Sequence, residues 1–320
     1  MSNAPGASQG QLGRLCVVAV IWLAAQQLLT RYAALALPRS LARELSLELY
    51  LLLVTLTALG IGAGAAFLML GRSAPRELGL VWPGGKAIAL GVSLSPLLFV
   101  ASSYLAVYLA LPTLLEELRR GGADLVRQNA GEVGRAMTSA PLVMVLLWAV
   151  VVAPVAEEVL FRGAIWGLLC RATVAWWPLR KEPPSLPDEL VNDSALVACS
   201  RAAARWLAQG GLATIVVGVG FGLLHWDLAG GQGIIRVTVT TCLGLAAGVA
   251  RQHSGSVLVP IAVHGVFNVL GLAGARRWIV TQTFPTHFMV PTLATVLAGL
   301  GGLLALVLLF AARDRNKPRS

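Results

Sequence analysis

The sequence predicts an all-α, polytopic membrane protein with about eight transmembrane helices. Hydrophobic residues make up 57% of the 320-residue chain and charged residues only 12%, whereas about a quarter of the residues of a soluble domain are charged. A bilayer-spanning helix needs about 20 apolar residues. Apolar runs of roughly this length recur along the chain, near 14–37, 47–71, 87–111, 141–169, 210–228, 234–250, 255–274 and 289–312.

The N-terminal residues 1–13 are polar and uncharged, and we expect a disordered tail there. The first apolar run could be confused with a cleaved signal peptide because Ala34-Leu35-Ala36 resembles a cleavage site. Arg31 interrupts the approach to that site, and the run is long for a signal sequence, so a retained helix is predicted. Of the eight predicted spans, the sixth has the weakest support, since Arg236 and three threonines lower its apolar content.

Two longer connections separate the apolar runs within the predicted membrane domain, 14–312. Residues 112–138 are amphipathic and are expected to carry an interfacial helix, and residues 171–206 form a polar, proline-containing insertion. A basic tail, 313–320, follows the last run.

The net charge of +10 does not indicate a nucleic-acid-binding protein, because the basic residues are not gathered into one patch. They lie at the ends of the apolar runs and in the connections, and positively charged residues accumulate on the cytoplasmic side of membrane proteins. More of them fall in the segments that share a side with the termini. The sequence therefore predicts a multi-pass protein of the inner (plasma) membrane with both termini in the cytoplasm.

The fourth apolar run contains two adjacent acids and an arginine, in Glu157-Glu158-Val159-Leu160-Phe161-Arg162. A charged residue at the centre of a membrane helix costs roughly 2.5–3.5 kcal/mol on insertion scales, so it seldom persists without a function. Residues four apart share a helix face, so Glu158 and Arg162 are expected to form an ion pair. Glu157 lies about 100° around the axis and remains available as a general base for water.

Two later apolar runs each carry one histidine within a short motif. Phe221 precedes His225 by four residues, so its ring can pack beside the imidazole, and we assign it to substrate binding and to the exclusion of bulk water. His264 precedes Asn268 by four residues. A histidine N–H and an asparagine amide aimed at one point would form an oxyanion hole.

Neither a metal site nor a cofactor is predicted. The four cysteines are far apart and form no C-x-x-C pair, and no H-E-x-x-H motif is present. A zinc peptidase that uses Glu157, His225 and His264 as a His₂Glu set nevertheless remains an alternative.

The three motifs, in this order and all within predicted spans, resemble those of the CPBP family, which comprises type II CAAX prenyl endopeptidases and bacteriocin-processing (Abi) membrane proteins. The resemblance covers about 141–275, and the loop Arg76-Glu77-Leu78-Gly79-Leu80 is similar to a softer feature of the family. It implies an eight-helix fold and peptide hydrolysis inside the membrane without a metal. By position, Glu157 and His225 would activate water, and His264 and Asn268 would stabilise the oxyanion. Glu158 and Arg162 would orient the site.

The expected partners are the lipid bilayer and a membrane-anchored protein or peptide substrate. A non-catalytic membrane protein, such as a bacteriocin-immunity factor or a scaffold, is the alternative from a different class. A transporter is disfavoured because the two halves of the chain show no internal repeat.

Overall fold

The computed structural model describes residues 9–36, 46–129, 140–176, 206–226, 228–276, 281–283 and 289–291. Almost all of these residues are helical, and six helices are long and apolar enough to cross a membrane. The predicted class, an all-α polytopic membrane protein, is therefore confirmed. The count of eight spans is not. The eighth predicted run, 289–312, begins in a short β-strand, and the rest of it lies outside the described residues.

The described helices, in chain order, are α1 (Gln9–Ala36), α2 (Leu47–Leu70), α3 (Ala74–Glu77), α4 (Gly85–Asn129), α5 (142–176), α6 (Leu212–Leu224), α7 (Gly230–Ser254) and α8 (Leu258–Ala275). A 3₁₀ turn, Gly71–Ser73, joins α2 to α3, and a π-helical turn, Leu207–Gly211, precedes α6. Strands β1 (Thr281–Thr283) and β2 (Met289–Pro291) form an antiparallel pair after α8. With 13 residues, α6 is shorter than the six candidate spans.

Helix α5 contains two π-helical segments. It is α-helical at Leu142–Val145, π-helical at Leu146–Val152, α-helical at Ala153–Glu158, π-helical at Val159–Ile165 and α-helical again at Trp166–Trp176. π-Helical turns are rare and occur frequently at functional sites. Here they lie on either side of the predicted acidic pair.

Three boundaries differ from those expected. Helix α1 begins at Gln9, so residues 9–13 belong to it; the last proline of the predicted tail is Pro5, and nothing after it prevents helix formation. Helix α4 continues to Asn129 through most of the predicted connection 112–138, and it is interrupted by Gly122 at φ 64°. Helix α5 extends to Trp176 and helix resumes before Leu207, so 177–205 of the insertion lie outside the described residues.

The continuation of α4 has a local cause. Glu116 pairs with Arg119 at 2.7 Å and with Arg120 at 2.6 Å. Charges three and four residues apart meet on one helix face, so these pairs stabilise helix in this stretch, where an interfacial helix is predicted, and here it is continuous with the preceding span.

The helices pack closely where glycines face a neighbour. A Cβ atom at Gly62 of α2 would lie 1.9 Å from the buried ring of Trp22 in α1, and a Cβ atom at Gly244 of α7 would lie 2.6 Å from the carbonyl oxygen of Gly218 in α6.

Helix α7 also packs against α4, and α8 packs against α4 and α7. The main hydrophobic core joins α1, α5, α6, α7 and α8 around Leu160. The motif-bearing helices therefore meet at the centre of the molecule.

Candidate active site

The acidic pair lies in α5, at the junction between its central α-helical segment and the second π-helical segment. The side chains of Glu158 and Arg162 are both fully buried, and Arg162 Nη1 donates to Glu158 Oε1 at 3.1 Å. The ion pair that the four-residue spacing predicts is thus present. Full burial of both partners makes each dependent on the other, because an unpaired charge in such a site is strongly unfavourable.

Arg162 is held by two further contacts from neighbouring helices. Its Nη2 donates to the carbonyl oxygen of Gly244 at 2.7 Å, which links α5 to α7. Its guanidinium carbon lies 4.7 Å from the centre of the Phe221 ring of α6, within the range of a cation–π contact. Three helices therefore fix the orientation of this guanidinium.

His264 of α8 contacts the same carboxylate. Its Nδ1 lies 2.8 Å from Glu158 Oε1. Because Glu158 is paired with a guanidinium, its carboxylate is an acceptor and the imidazole Nδ1–H is the donor. The other ring nitrogen, Nε2, lies 4.0 Å from Glu157 Oε2. A carboxylate behind an imidazole sets the orientation of the ring.

His225 is the residue at which α6 ends. Its Nδ1 lies 2.7 Å from the carbonyl oxygen of Phe221. A carbonyl only accepts hydrogen bonds, so Nδ1 carries the proton and Nε2 of the neutral ring is an acceptor. That Nε2 also lies 4.0 Å from Glu157 Oε2. The two histidines thus present their Nε2 atoms to the same carboxylate but have different partners at Nδ1.

Glu157 is the more accessible acid of the pair. Its side chain is 18% exposed, while that of Glu158 has no exposed surface, and the His225 side chain beside it is 22% exposed. Glu157 and His225 therefore border the solvent-accessible side of the cluster. This is the arrangement that the sequence predicts, with one acid neutralised by arginine and the other available.

Phe221 does not border the accessible side. Its ring is fully buried, lies 4.5 Å from the His225 ring and 5.8 Å from the His264 ring, and packs under Arg162. The predicted packing against His225 is present. The ring lies beneath the polar cluster and separates it from the core, and its role in substrate binding stays a prediction.

Asn268 also differs from its predicted geometry. Its Nδ2 donates to the carbonyl oxygen of Ala149 at 2.7 Å, in the first π-helical segment of α5. One amide hydrogen is thus committed to the backbone, and only the second remains for an oxyanion. The convergence of His264 and Asn268 on one oxyanion stays a prediction, which now rests on the second amide hydrogen.

Sequence reasoning missed Arg251, the arginine in the last turn of α7. It is one of the basic residues at the ends of the apolar runs, but only 8% of it is exposed, and its Nε donates to the carbonyl oxygen of Arg162 at 3.1 Å. An arginine near the end of a span ordinarily extends to the membrane surface. No spacing in the sequence distinguishes this buried example from an interfacial one.

An apolar cavity of about 500 Å³ lies between α4, α7 and α8. It is lined mainly by small and aliphatic side chains, among them Gly91, Ala246 and Val263, and His253 and Ser254 also line it. Val263 directly precedes His264 in α8, so the cavity adjoins the helix that carries this site residue.

Together, the fold and this cluster define a polytopic membrane protein with a buried carboxylate–imidazole–guanidinium site. A sequence model of the family described as Type II CAAX prenyl endopeptidase Rce1-like matches residues 139–270, which contain all three motifs. The match confirms the resemblance of this part of the chain to the CPBP/CAAX protease family. Searches of curated proteins and of solved structures found no significant match.

Proposed function

We propose that this chain is an intramembrane glutamic-type endopeptidase that hydrolyses a peptide bond of a membrane-associated or lipid-anchored protein. Membership of a membrane protease family supports the endopeptidase activity. The observation that carries the mechanism is the position of Glu157 Oε2, which lies 4.0 Å from Nε2 of His225 and 4.0 Å from Nε2 of His264.

A water molecule fits the gap between Glu157 and His225. Their separation of 4.0 Å exceeds a direct hydrogen bond, but a water about 2.8 Å from each atom would bridge them. Both atoms are acceptors, so each would take one hydrogen of that water and orient an oxygen lone pair towards a substrate carbonyl. Glu157 and His225 would then act together as the general base.

His264 is the better candidate for oxyanion stabilisation. With the Glu158 carboxylate at its Nδ1, an imidazolium at His264 would balance the charges of the cluster, which holds two carboxylates and one guanidinium. Its Nε2–H would donate to the oxygen of the tetrahedral intermediate. The remaining amide hydrogen of Asn268 would be the second donor.

The reaction balances without a further reactant. The water oxygen forms a bond to the scissile carbonyl carbon, and its proton passes to Glu157 or His225. The carbon–nitrogen bond then breaks, and the leaving amine takes that proton. Glu158 and Arg162 would orient His264 and keep the site electrically paired, with no bond made to substrate.

The apolar cavity between α4, α7 and α8 supports a lipid-anchored substrate, because its lining would accept a hydrocarbon chain beside the helix that carries His264. A site within apolar spans also favours a substrate held in the same bilayer. We place the protein in the plasma (inner) membrane, with both termini in the cytoplasm, from the distribution of basic residues.

The test compares membrane proteomes of cells that carry wild-type protein with those that carry Glu157→Gln. We expect substrates to persist as longer, uncleaved forms in the variant, because loss of a general base typically lowers turnover about 10²–10⁴-fold. Glu116→Gln, the same chemical change at an exposed ion pair of α4, is the matched control. If cells that carry Glu157→Gln keep the effect of the wild-type protein, the immunity-factor or scaffold alternative is favoured.

One geometric observation keeps the zinc alternative open. Two Nε2 atoms face the carboxylate of Glu157, and each Nδ1 has the kind of partner that supports metal-ligating histidines. Across the described ranges no group of three His, Cys, Asp or Glu side chains is spaced as a metal site. Activity that survives strong chelators supports direct activation of water; loss on chelation with recovery on added zinc would establish the His₂Glu site instead.

A further inference from the structure

A second arginine is built into the support of the candidate site, and no motif in the sequence identifies it. Arg251 is almost completely buried, although it lies in the last turn of α7, three residues before the helix ends at Ser254. A buried guanidinium needs hydrogen-bond and charge partners. Its Nε donates to the carbonyl oxygen of Arg162, the residue that neutralises Glu158.

Helix α7 therefore holds Arg162 at two points. The carbonyl oxygen of Gly244 accepts from the side chain of Arg162, and the side chain of Arg251 donates to its backbone. Gly244 and Arg251 are seven residues apart, which is about two helical turns. Arg162 lies inside the second π-helical segment, Val159–Ile165, where the ordinary i→i+4 pattern of backbone hydrogen bonds is interrupted.

The guanidinium of Arg251 is enclosed from two sides. Its central carbon lies 5.1 Å from the centre of the Trp166 ring, a cation–π contact. On another side lies the backbone of Gly79: a Cβ atom there would be 2.3 Å from Nη2 and 2.5 Å from the central carbon of Arg251. Gly79 also has φ +73°, so glycine is required there by conformation and by contact. We call Arg251, Trp166 and Gly79 the Arg251 clamp.

The loop that carries Gly79 is fixed to the same region. The amide of Val257 donates to the carbonyl oxygen of Gly79 at 2.9 Å, and the hydroxyl of Ser256 donates to the carbonyl oxygen of Val81. A Cβ atom at Gly163, the residue after Arg162, would lie 2.9 Å from the carbonyl oxygen of Leu78. The loop thus packs on both Arg251 and the π-helical turn.

We propose that the Arg251 clamp positions the catalytic site, because it fixes the backbone of Arg162 and so aims the Arg162 guanidinium at Glu158, which in turn holds His264. Arg251 is a positioning residue, with no contact to the reacting atoms. The inference rests on the proposed function for its catalytic consequence. The immobilisation of the π-helical turn by the clamp does not depend on the proposed function.

Two variants break the clamp from opposite sides. Arg251→Gln removes the Nε donor and the ring contact, and Gly79→Ala forces the guanidinium away from its place without altering a polar group. The matched control is Gly71→Ala, at φ +61° with open space around the new Cβ. It likewise places an alanine at a positive φ in the same connection, but makes no contact with Arg251. Arg251→Lys keeps the charge and loses the planar, directed donor.

Hydrogen–deuterium exchange of residues 159–165 measures the clamp independently of catalysis. We expect exchange to accelerate at least about tenfold in Arg251→Gln and Gly79→Ala, which corresponds to a loss of about 1.4 kcal/mol of local protection. Gly71→Ala should leave it unchanged. Unchanged exchange in both clamp variants would overturn the proposal.

Kinetics with a quenched-fluorescent farnesylated peptide in lipid nanodiscs test the catalytic consequence. For Arg251→Gln we expect kcat to fall at least about tenfold with KM unchanged, and for Arg251→Lys a fall of similar size. A Lys variant with wild-type kcat would show that only charge is needed and would overturn the positioning role, as would normal kcat with accelerated exchange. A wild-type protein that cleaves no peptide would refute the proposed function, while the exchange experiment still decides whether the clamp holds the turn.

Discussion

Removal of Arg162 is the most informative single perturbation of this molecule. Arg162→Ala leaves the fully buried carboxylate of Glu158 with His264 as its one remaining partner among the described residues, and it leaves the carbonyl oxygen of Gly244 without this donor. Breaking a buried ion pair by removing one partner typically costs about 3–5 kcal/mol. Both side chains are completely buried, so solvent cannot screen the remaining charge.

A double change separates the charge effect from the loss of packing. Glu158→Gln combined with Arg162→Gln removes both charges and keeps side chains that can hydrogen bond. We expect it to recover part of the lost stability, since it leaves no unpaired charge buried in the site. Activity should stay low, because His264 then has no carboxylate at Nδ1.

Unfolding in detergent, followed by tryptophan fluorescence, measures the free energy of unfolding of each variant. Arg119→Ala, which breaks an exposed ion pair on α4, is the control and should cause no measurable change. The reasoning is refuted if Arg162→Ala unfolds within about 1 kcal/mol of wild type, or if the double variant is less stable than the single one.

Three further outcomes are expected. Gly62→Ala should destabilise the α1–α2 contact because its Cβ would overlap the Trp22 ring, whereas Gly64→Ala, with nothing within 4 Å, should be neutral or gain up to about 1 kcal/mol of helix propensity; equal unfolding curves would contradict the packing argument. Ala246→Phe, which fills the apolar cavity, should slow cleavage of a lipidated peptide more than that of the same peptide without lipid; equal slowing would exclude the cavity as the lipid site. Reporter fusions at the C-terminus and within 130–139 should give opposite sides of the membrane; same-side signals would show that the assumed number of spans is wrong.

The fold class and the ion pair could be predicted from the sequence because both depend on local pattern. Long apolar runs define spans, and the four-residue spacing places Glu158 and Arg162 on one helix face. Helix α7 was correctly placed despite Arg236 and its threonines. The Thr240 hydroxyl needs only the helix's own backbone, because it donates to the carbonyl oxygen of Arg236 at 2.7 Å.

The contacts that sequence reasoning missed are those between distant segments. Nothing in the pattern around Asn268 indicates that its amide donates to Ala149, and nothing around Arg251 indicates the carbonyl oxygen of Arg162 as its acceptor. Both acceptors lie in or beside π-helical turns, which depend on tertiary packing and have no composition of their own. The burial of Phe221 likewise follows from how three helices converge rather than from its motif.

The position of the ion pair within a single helix has a consequence for biosynthesis. Glu158 and Arg162 leave the ribosome together, so α5 brings its own counter-charge into the bilayer without waiting for another helix. His264 follows about 100 residues later, a delay of about 5–20 s at translation rates of roughly 5–20 residues per second. Throughout that interval the nascent chain carries a neutralised guanidinium but no complete site, and the two later histidines join a helix that is already stable in the membrane.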